Sequence, residues 1–310
     1  MGMQINTNVS ALNAYRNLAS TQNDLSKSLE KLSSGLRINR AADDAAGLAI
    51  SEGLRSQVNG LNVAARNAQD GISVIQTAEG ALTEVHSILQ RVRDLAVQVG
   101  NDSNNADSRK AIQTEVDALG KELSRIATGT NFNGINLLTG AGTAAVPADP
   151  DAGTPAVDAV LGAGDGTGKL TFQVGAGSSA VNDQIEVDLS GADITAVAAA
   201  ISGLDFVQDG VDADEAVTAR LDAISTIDTQ ITSVSTARAG LGAAQNRFES
   251  TINSLNVSSE NLSAAESRIR DTDMASEMVK YTAKNILSQA GTAMLAQANQ
   301  ANQGVLQLLR

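Results

Sequence analysis

The chain has no cysteine, no tryptophan, three prolines and one histidine among its 310 residues, and aromatic side chains make up 2% of it. Without cysteine, the chain forms neither disulfide bonds nor thiolate metal sites. The scarcity of aromatic side chains leaves little to fill a bulky globular core, so small aliphatic residues and leucine must fill any interior. This composition is typical of narrow seams between packed helices.

Long apolar runs are also absent, because no stretch of about 18 consecutive apolar residues occurs, and this excludes a transmembrane helix. The amino end has neither the basic head nor the continuous apolar segment of a cleavable signal peptide, so we expect any export to use another route. The net charge of −13 disfavours nucleic acid as a partner, since phosphate binding needs clustered lysine and arginine. Acidic charge and terminal segments rich in asparagine and glutamine also disfavour membrane insertion.

A heptad repeat of apolar residues runs from Asp44 to about Val99. A repeat this long predicts a coiled-coil helix, which at 1.5 Å per residue would extend roughly 80 Å and form a rod. Interior glycines cost such a helix up to roughly 1 kcal/mol each, so it needs packing partners. One row of the repeat contains Leu54, Leu61, Ala68, Ile75, Leu82, Leu89 and Ala96, and a second contains Val58, Ala65, Ile72, Ala78, Val85, Val92 and Val99.

The carboxyl-terminal half mirrors the amino-terminal half. Its heptads begin near Asp212, and amphipathic segments lie at both ends of the chain, separated from the long helices by the polar breaks 33–44 and 270–273. We therefore predict a mainly α fold, an elongated antiparallel coiled-coil helix bundle formed by the N- and C-terminal halves. The apolar positions of the second repeat are Val217, Leu221, Ile224, Ile231, Val234, Leu241, Phe248, Leu255, Leu262 and Ile269.

The middle of the chain has a different character. Residues 141–210 contain all three prolines, ten acidic residues and one basic residue. Alternating runs predict strands at Leu170–Val174 and Ile185–Leu189, and an Ala-rich helix capped by Asp193 should follow. We interpret 141–210 as a small α+β or β-rich inserted outer domain of low stability. A hairpin turn is predicted just before it, at Asn133-Gly134.

These breaks divide the chain into three parts. Residues 1–43 and 271–310 are the terminal helices, residues 44–140 and 211–270 form the helical rod domain, and 141–210 is the surface-exposed insert. The terminal helices have thin apolar stripes, so we expect them to become ordered only when many copies pack together. A helix surface that meets a different surface on the next copy builds a helical filament.

Catalytic and metal sites find little support in the sequence. His86 has no second histidine or cysteine to complete a zinc site or a catalytic triad. The segment 162–169 fails as a phosphate loop, because Ala163 replaces its first glycine and Leu170 its Ser/Thr. The acidic residues near 209–215 lack EF-hand spacing, and adjacent Asp43 and Asp44 are better explained as helix caps than as an acid–base pair. We expect no enzyme activity, no metal and no cofactor.

Five segments closely resemble bacterial flagellin, and they occur in the family's order at both ends of the chain. The resemblance covers about residues 3–140 and 215–310, and residues 141–210 match nothing reliable. The segments are INTNVSALNAYRNL (Ile5–Leu18), LSSGLRINRAADDAAGLAIS (Leu32–Ser51), TARAGLGAAQNRFESTINSL (Thr236–Leu255), AESRIRDTDMASEMVKYT (Ala265–Thr282) and ILSQAGTAMLAQANQ (Ile286–Gln300).

The resemblance implies a self-assembling subunit of the extracellular flagellar filament used for swimming. It implies export through the flagellar type III apparatus without a cleaved signal peptide, and assembly with filament cap and hook-junction proteins. A cytoplasmic export chaperone would bind about Met274–Arg310. The hook–filament junction protein is the alternative within the family, since it shares the ends of the chain with a less complete core match.

The resemblance also implies recognition by the host Toll-like receptor for flagellin. The matching segment is LQRVRDLAVQ, so the receptor-binding residues would be Gln90, Arg91, Leu95 and Gln98 on the long helix and Glu115 on the next. Two other interpretations stay open: the charged residues here form a solvated helix face, and Leu95 packs between subunits.

Overall fold

The computed structural model describes residues 8–101, 103–140, 167–206 and 213–308. The chain divides into two compact units: unit 1 contains Met1–Asn59 and Ser259–Arg310, and unit 2 contains Gly60–Ser258. Helices dominate the described residues, and the sheets have two strands each. The predicted fold class, a mainly α-helical bundle with a small sheet-containing insert, is confirmed.

The elements follow one another with short connections. In chain order they are α1 (Val9–Ser34), α2 (Ala45–Val99), α3 (Ala106–Gly129), β1 (Asn131–Phe132), β2 (Ile135–Asn136), β3 (Lys169–Gln173), α4 (Ala180–Asp183), β4 (Gln184–Asp188), a 3₁₀ turn (Ser190–Ala192), α5 (Ile194–Ser202), α6 (Ala213–Arg270) and α7 (Met274–Leu308). Within the described residues, no helix is both long enough and apolar enough to cross a membrane.

The break between α1 and α2 contains one helix stop and one helix start. Gly35 ends α1 in a left-handed conformation with φ 72°, which glycine adopts without steric cost. Asp44 starts α2, because its carboxylate accepts a hydrogen bond of 2.8 Å from the Gly47 amide. The expectation that Asp43 also caps α2 is wrong, since its carboxylate accepts hydrogen bonds from the backbone amides of Asn39 and Arg40.

The core of unit 2 confirms the heptads of α2. Positions of both predicted rows are buried there: Ala68, Ile75, Ala78, Leu82, Val85, Leu89, Val92, Ala96 and Val99. They share one apolar cluster with Val116 and Leu123 of α3 and with Leu241 and Phe248 of α6. Helices distant in sequence therefore supply the packing that the interior glycines of α2 require.

The register predicted at the start of α6 is partly wrong. Val217 and Leu221 are exposed, whereas Ala223 and Ile227 are buried. The buried row is Ile227, Val234, Leu241, Phe248 and Leu255, spaced by seven residues. Both rows have heptad spacing, so the spacing alone could not show which of them faces the rest of unit 2.

The predicted hairpin turn is confirmed. Asn133 and Gly134 have φ of 51° and 82° and connect β1 to β2, whose register pairs Phe132 with Ile135. Positive φ at both central residues is the requirement of a type I′ turn. The later strands β3 and β4 also form an antiparallel pair, one residue earlier than predicted, and Asp193 caps α5 by accepting from the Ala196 amide.

Residues 167–206 pack into unit 2 more closely than their composition suggested. Alternate residues of β4, Ile185 and Val187, are buried, as are Ile194 and Ile201 of α5. All four belong to the apolar cluster shared by α2, α3 and α6. The described part of the middle segment thus contributes to the main core of this unit.

Other predictions for the middle of the chain lie outside the described residues. These are the three prolines, residues 162–166 of the glycine-rich segment, and the acidic residues Asp209 and Asp212.

The predicted divisions at 43/44 and 270/271 fall at helix ends, whereas the compact units divide within α2 and α6. The three-part division stays a prediction.

Candidate functional site

The first candidate surface is the terminal-helix surface, formed by α1 and α7 of unit 1. Asn8 joins the start of α1 to α7, because its amide nitrogen donates a hydrogen bond of 2.9 Å to the Ala298 carbonyl oxygen. Midway along the pair, Lys284 Nζ lies 2.6 Å from Asp24 Oδ2. This contact lowers the pKa of Asp24, first by the hydrogen bond from Lys284 and then by its charge. The two helices are therefore held along their length by polar contacts.

Close packing of the two helices occurs at a glycine. A β-carbon added at Gly291 would lie 3.1 Å from Leu18 Cδ1, so the two backbones approach closely here. Leu18, Leu287 and Met294 line the groove between α1 and α7. Leu287 and Met294 are nevertheless more than half exposed, so this groove covers them only in part.

The break segments of unit 1 are joined by backbone hydrogen bonds. The Arg37 amide donates to the Arg270 carbonyl oxygen at 2.6 Å, and the Thr272 amide donates to the Gly35 carbonyl oxygen at 2.9 Å. Leu36 and Asp271 form an isolated antiparallel bridge between these bonds. We call these residues, 35–37 and 270–272, the junction; it fixes the start of α7 against the end of α1.

Charged side chains strengthen the junction. The Arg270 guanidinium lies 2.7 Å from Glu52 Oε1, and the Arg37 side chain donates to the Ile269 carbonyl oxygen.

Glu277, in the first turns of α7, is only 6% exposed. Burial alone would raise the pKa of Glu277, but hydrogen bonds from Ser28 and Lys280 outweigh it and lower the pKa.

The terminal-helix surface carries many exposed apolar side chains and buries almost none. Among the described residues of unit 1, Ile38 is the one buried apolar side chain. Met278 and Leu287 are nine residues apart, which at 3.6 residues per turn places them about 180° apart around α7. One partner surface cannot cover both sides. The exposed apolar residues of α1 and α7 are Val9, Leu12, Tyr15, Leu29, Met274, Met278, Val279, Ile286, Leu287 and Met294.

The second candidate surface is the Arg91 surface of unit 2, which contains four of the five predicted receptor-binding residues. Arg91 Nη2 on α2 lies 2.7 Å from Glu115 Oε1 on α3, and both side chains are about half exposed. Gln90 and Gln98 are exposed on α2. The Gln90 amide nitrogen is 2.9 Å from His86 Nε2, and the Gln98 carbonyl oxygen accepts from the Asn104 side chain at 2.6 Å.

The fifth residue, Leu95, does not belong to this surface. Its side chain is 1% exposed and packs in the core of unit 2 beside Val92 and Val99. Leu95 lies three residues after Val92 and four before Val99, so the three side chains share the buried face of α2. This burial disfavours direct contact between Leu95 and a partner, and the receptor-binding role predicted for Leu95 stays a prediction.

Sequence reasoning missed the long-range polar contacts. The Arg270–Glu52 and Lys284–Asp24 pairs join residues more than 200 positions apart, as do the backbone bonds of the junction. The spacing of residues along the chain does not predict contacts between such distant positions. The structure also contains no group of three or more His, Asp or Glu side chains placed to hold a metal ion, as far as its described residues extend.

Comparison with known proteins gives matches over nearly the whole chain. A family model of the bacterial flagellin N-terminal helical region matches residues 5–143, and one of the C-terminal helical region matches residues 224–309. The flagellin of Bacillus subtilis (strain 168) is 49% identical over 322 residues, which covers 99% of this chain and 100% of that protein. The flagellar filament 33 kDa core protein of Treponema phagedenis is 47% identical over 309 residues, with the same coverage.

One solved structure agrees with this chain in fold, and a second is reported beside it. A Vibrio parahaemolyticus protein assigned to the flagellar hook-associated class has a TM-score of 0.53 at 16% identity, covering 74% of this chain and 100% of that one. The crystal structure of Bacillus cereus flagellin covers 61% of this chain and 88% of that one, at 25% identity and a TM-score of 0.43.

Proposed function

The chain belongs to the bacterial flagellin family, and on this premise we propose which of its surfaces build the filament and which meet other partners. Membership makes the chain a structural subunit of the flagellar filament that polymerises with copies of itself, and not an enzyme. We assign polymerisation to the terminal-helix surface and receptor binding to the Arg91 surface.

The terminal-helix surface is the polymerising surface. The observation that carries this proposal is the exposure of Met278 and Leu287 on opposite sides of α7, in a unit where Ile38 is the one buried apolar side chain among the described residues. Burying an apolar side chain of this size contributes about 1.5–3 kcal/mol, so several of them supply a large driving force for association. Because two sides of one helix need cover, each copy meets different neighbours through different faces, and such heterologous contacts extend into a filament.

The three-part division follows from this assignment. Residues 1–43 and 271–310 form the filament core, residues 44–140 and 211–270 form the surrounding rod domain, and 141–210 forms the outer part of the subunit. The junction supports the first boundary, because its backbone bonds join residues 35–37 to residues 270–272.

Truncation tests the polymerising surface. Removing Met1–Arg40 or Asp271–Arg310 should leave unit 2 folded, because its core lies entirely within residues 60–258. Neither truncated chain should form filaments after seeding, as seen by electron microscopy. The control is the full chain with Leu221→Ser, an exposed apolar residue of unit 2, which should polymerise. Filaments formed by both truncated chains would refute the proposal.

The Arg91 surface is proposed to bind the host Toll-like receptor for flagellin through Gln90, Arg91, Gln98 and Glu115. The Arg91–Glu115 pair supports this assignment, because it holds an arginine in a fixed position across two helices while leaving half of its side chain accessible. Arginine is enriched among the residues that dominate protein interfaces. The burial of Leu95 disfavours a direct part for it in this contact.

Two arginines of the same helix provide the matched test. Arg91→Ala should lower receptor signalling on the order of thirtyfold, since interface arginines that dominate binding contribute about 2 kcal/mol or more. Arg93→Ala is the control, because Arg93 is also half exposed and pairs with Asp228 of α6 at 2.6 Å. Each substitution should change folding stability by under about 1 kcal/mol, as surface ion pairs do. Full signalling by Arg91→Ala would exclude Arg91 from the contact.

Other family partners are assigned to the ends of the chain. We propose that the cytoplasmic export chaperone binds about Met274–Arg310. Export is proposed to occur without a cleaved signal peptide. The cap and hook-junction proteins are proposed to contact the assembled subunit. The exposed side chains of Val279, Ile286 and Met294 support the chaperone assignment, because an apolar helix face is a common recognition element. Loss of chaperone binding on removing Asp271–Arg310, with binding retained on removing Met1–Arg40, is the expected result.

A further inference from the structure

We propose that Asn133 is a site of spontaneous deamidation, at which the folded chain slowly converts an asparagine of the β1–β2 turn to aspartate and isoaspartate. The reactant is the chain's own backbone, followed by water. The proposal rests on the geometry of the turn and is independent of how the subunit assembles.

The turn leaves both reacting residues outside the strand pairing. Asn131 pairs with Asn136 and Phe132 with Ile135, so Asn133 and Gly134 lie beyond the last pair. Both are exposed to solvent. A β-carbon added at Gly134 would find no atom within 4 Å, so the rest of the fold does not crowd the α-carbon of Gly134.

The chemistry is a balanced hydrolysis in two steps. The deprotonated backbone nitrogen of Gly134 attacks the side-chain carbonyl carbon of Asn133, a carbon–nitrogen bond forms, and the amide nitrogen leaves as ammonia. Water then opens the resulting succinimide at either of its two carbonyl carbons. Opening at one gives aspartate, and opening at the other gives isoaspartate, in which the backbone runs through the side chain. No oxidant or cofactor is needed.

The same dipeptide occurs at Asn59-Gly60, which makes an internal comparison possible. Asn59 is exposed like Asn133, but it lies in the interior of α2. Ring closure there would take the Gly60 nitrogen out of the helical hydrogen-bond ladder. Gly60 is also crowded, because a β-carbon added to it would lie 2.8 Å from Ala176 Cβ. Side-chain exposure is therefore matched, and the backbone environment differs.

Local opening of the turn is the step that allows the reaction. The β1–β2 sheet has two pairs only, and short hairpins open more readily than the interior of a long helix. The opening needs to change only the backbone rotation of Asn133. In α2, the equivalent rotation would disrupt hydrogen bonds on both sides of Asn59.

The products alter the turn in two ways. Aspartate adds one negative charge to an acidic chain and keeps the turn, because aspartate tolerates positive φ. Isoaspartate adds a backbone atom to a two-residue loop, and loop length fixes hairpin register. Phe132, which packs against the core of unit 2, should then lose its pairing with Ile135.

The experiment follows both sites in the same sample. The soluble full-length chain is held in mildly alkaline buffer at physiological temperature, digested with trypsin, and analysed by mass spectrometry with an isoaspartate-specific methyltransferase assay. Trypsin separates the two sites, because Asn59 lies in the peptide Ser56–Arg66 and Asn133 in Ile126–Lys169. We expect Asn133 to gain one mass unit faster than Asn59 by a factor on the order of ten or more, as local opening free energies differ across a fold.

A denatured sample provides the control for the fold. In concentrated urea α2 is unfolded, so the two dipeptides should deamidate at similar rates. The variant Asn133→Gln, which closes the larger ring poorly, should abolish the signal from 126–169 and leave that from 56–66 unchanged. Equal rates at the two sites in the folded chain would overturn the proposal, and so would an unmodified Asn133 in a folded chain whose denatured form reacts.

Discussion

Unit 1 and unit 2 are both built from long helices with apolar repeats, yet they bury these repeats to different extents. In unit 2, rows from α2, α3 and α6 meet the described part of the middle segment in one apolar cluster. In the described residues of unit 1, Ile38 is buried, and the apolar residues of α1 and α7 remain largely at the surface. Because apolar burial is the dominant favourable term in folding, unit 2 has the means to be stable by itself, and we expect unit 1 to depend on other copies for its stability.

What unit 1 has in place of a core is a set of polar contacts. The positions of α1 and α7 are determined by the Asn8–Ala298 hydrogen bond, the Lys284–Asp24 pair and the backbone bonds of the junction. Exposed ion pairs contribute little net stability, so these contacts orient the helices more than they stabilise them. Polar contacts therefore position the surface, and association supplies the stabilising burial. Three measurements test this difference between the units.

The largest effect is expected in the core of unit 2. Phe248 is fully buried, and its ring packs edge-on against Phe172 with the centroids 5.5 Å apart. Phe248→Ala should lower the free energy of unfolding by about 3–5 kcal/mol, through lost apolar burial and a cavity. Urea unfolding followed by circular dichroism measures the change.

Leu221→Ala is the control for this measurement. Leu221 lies on the same helix but is exposed, so its truncation should change stability by less than about 0.5 kcal/mol. Similar losses in the two variants would show that burial is not what distinguishes unit 2.

An intermediate effect is expected on the terminal-helix surface. Ile286→Ser should leave the unfolding of unit 2 unchanged, because Ile286 is exposed on α7. It should raise the concentration needed for seeded polymerisation on the order of tenfold, since burying an isoleucine contributes about 1.5–3 kcal/mol. Sedimentation of filaments across a concentration series measures this shift. Val181→Ser, at an exposed position of unit 2, should polymerise normally, and a block by that variant alone would reverse the assignment.

The smallest effect is the response of unit 1 to acid. The pKa of Glu277 is lowered from its ordinary value of 4.5, so its stabilising contribution is present above that value and is lost as the pH falls through the lowered pKa. The packing of α7 on α1 should therefore weaken only in acid. Hydrogen exchange of α7 amides, measured from neutral to acidic pH, should show this loss in the wild-type chain.

Glu277→Gln separates this titration from general acid effects. The variant should exchange faster than the wild type at neutral pH, because the charged contact with Lys280 is gone, and its exchange should depend less on pH. An unchanged acid response in Glu277→Gln would assign the effect to other carboxylates, of which Asp24 is the first to examine.

Much of the fold could be predicted from local patterns. Heptads located α2 and α6, Asn133-Gly134 located a hairpin, and Asp193 located a helix start, because each of these depends on a few neighbouring residues. The register at the start of α6 could not be predicted, since Val217 and Leu221 fit a heptad as well as Ala223 and Ile227 do. Only the helices and strands packed against α6 decide which row is covered.

The candidate surfaces were predicted less completely than the fold. Family resemblance located Arg91 and Glu115, and the structure brings these two side chains together. The structure also shows that Leu95 is buried, because α3 and α6 pack against the face of α2 on which Leu95 lies. The junction was not foreseen at all, since its bonds join residues at opposite ends of the chain.

The sequence by itself determined the helices, their caps, the turn before the middle segment and the family to which the chain belongs, because local periodicity and motif order are properties of the chain alone. The tertiary structure decided which apolar rows are buried in unit 2 and which stay exposed on α1 and α7. The physical reason is that burial depends on what other segments lie nearby. Leu89 and Leu287 each have an apolar residue seven positions further on, yet Leu89 is enclosed by its own chain and Leu287 is exposed.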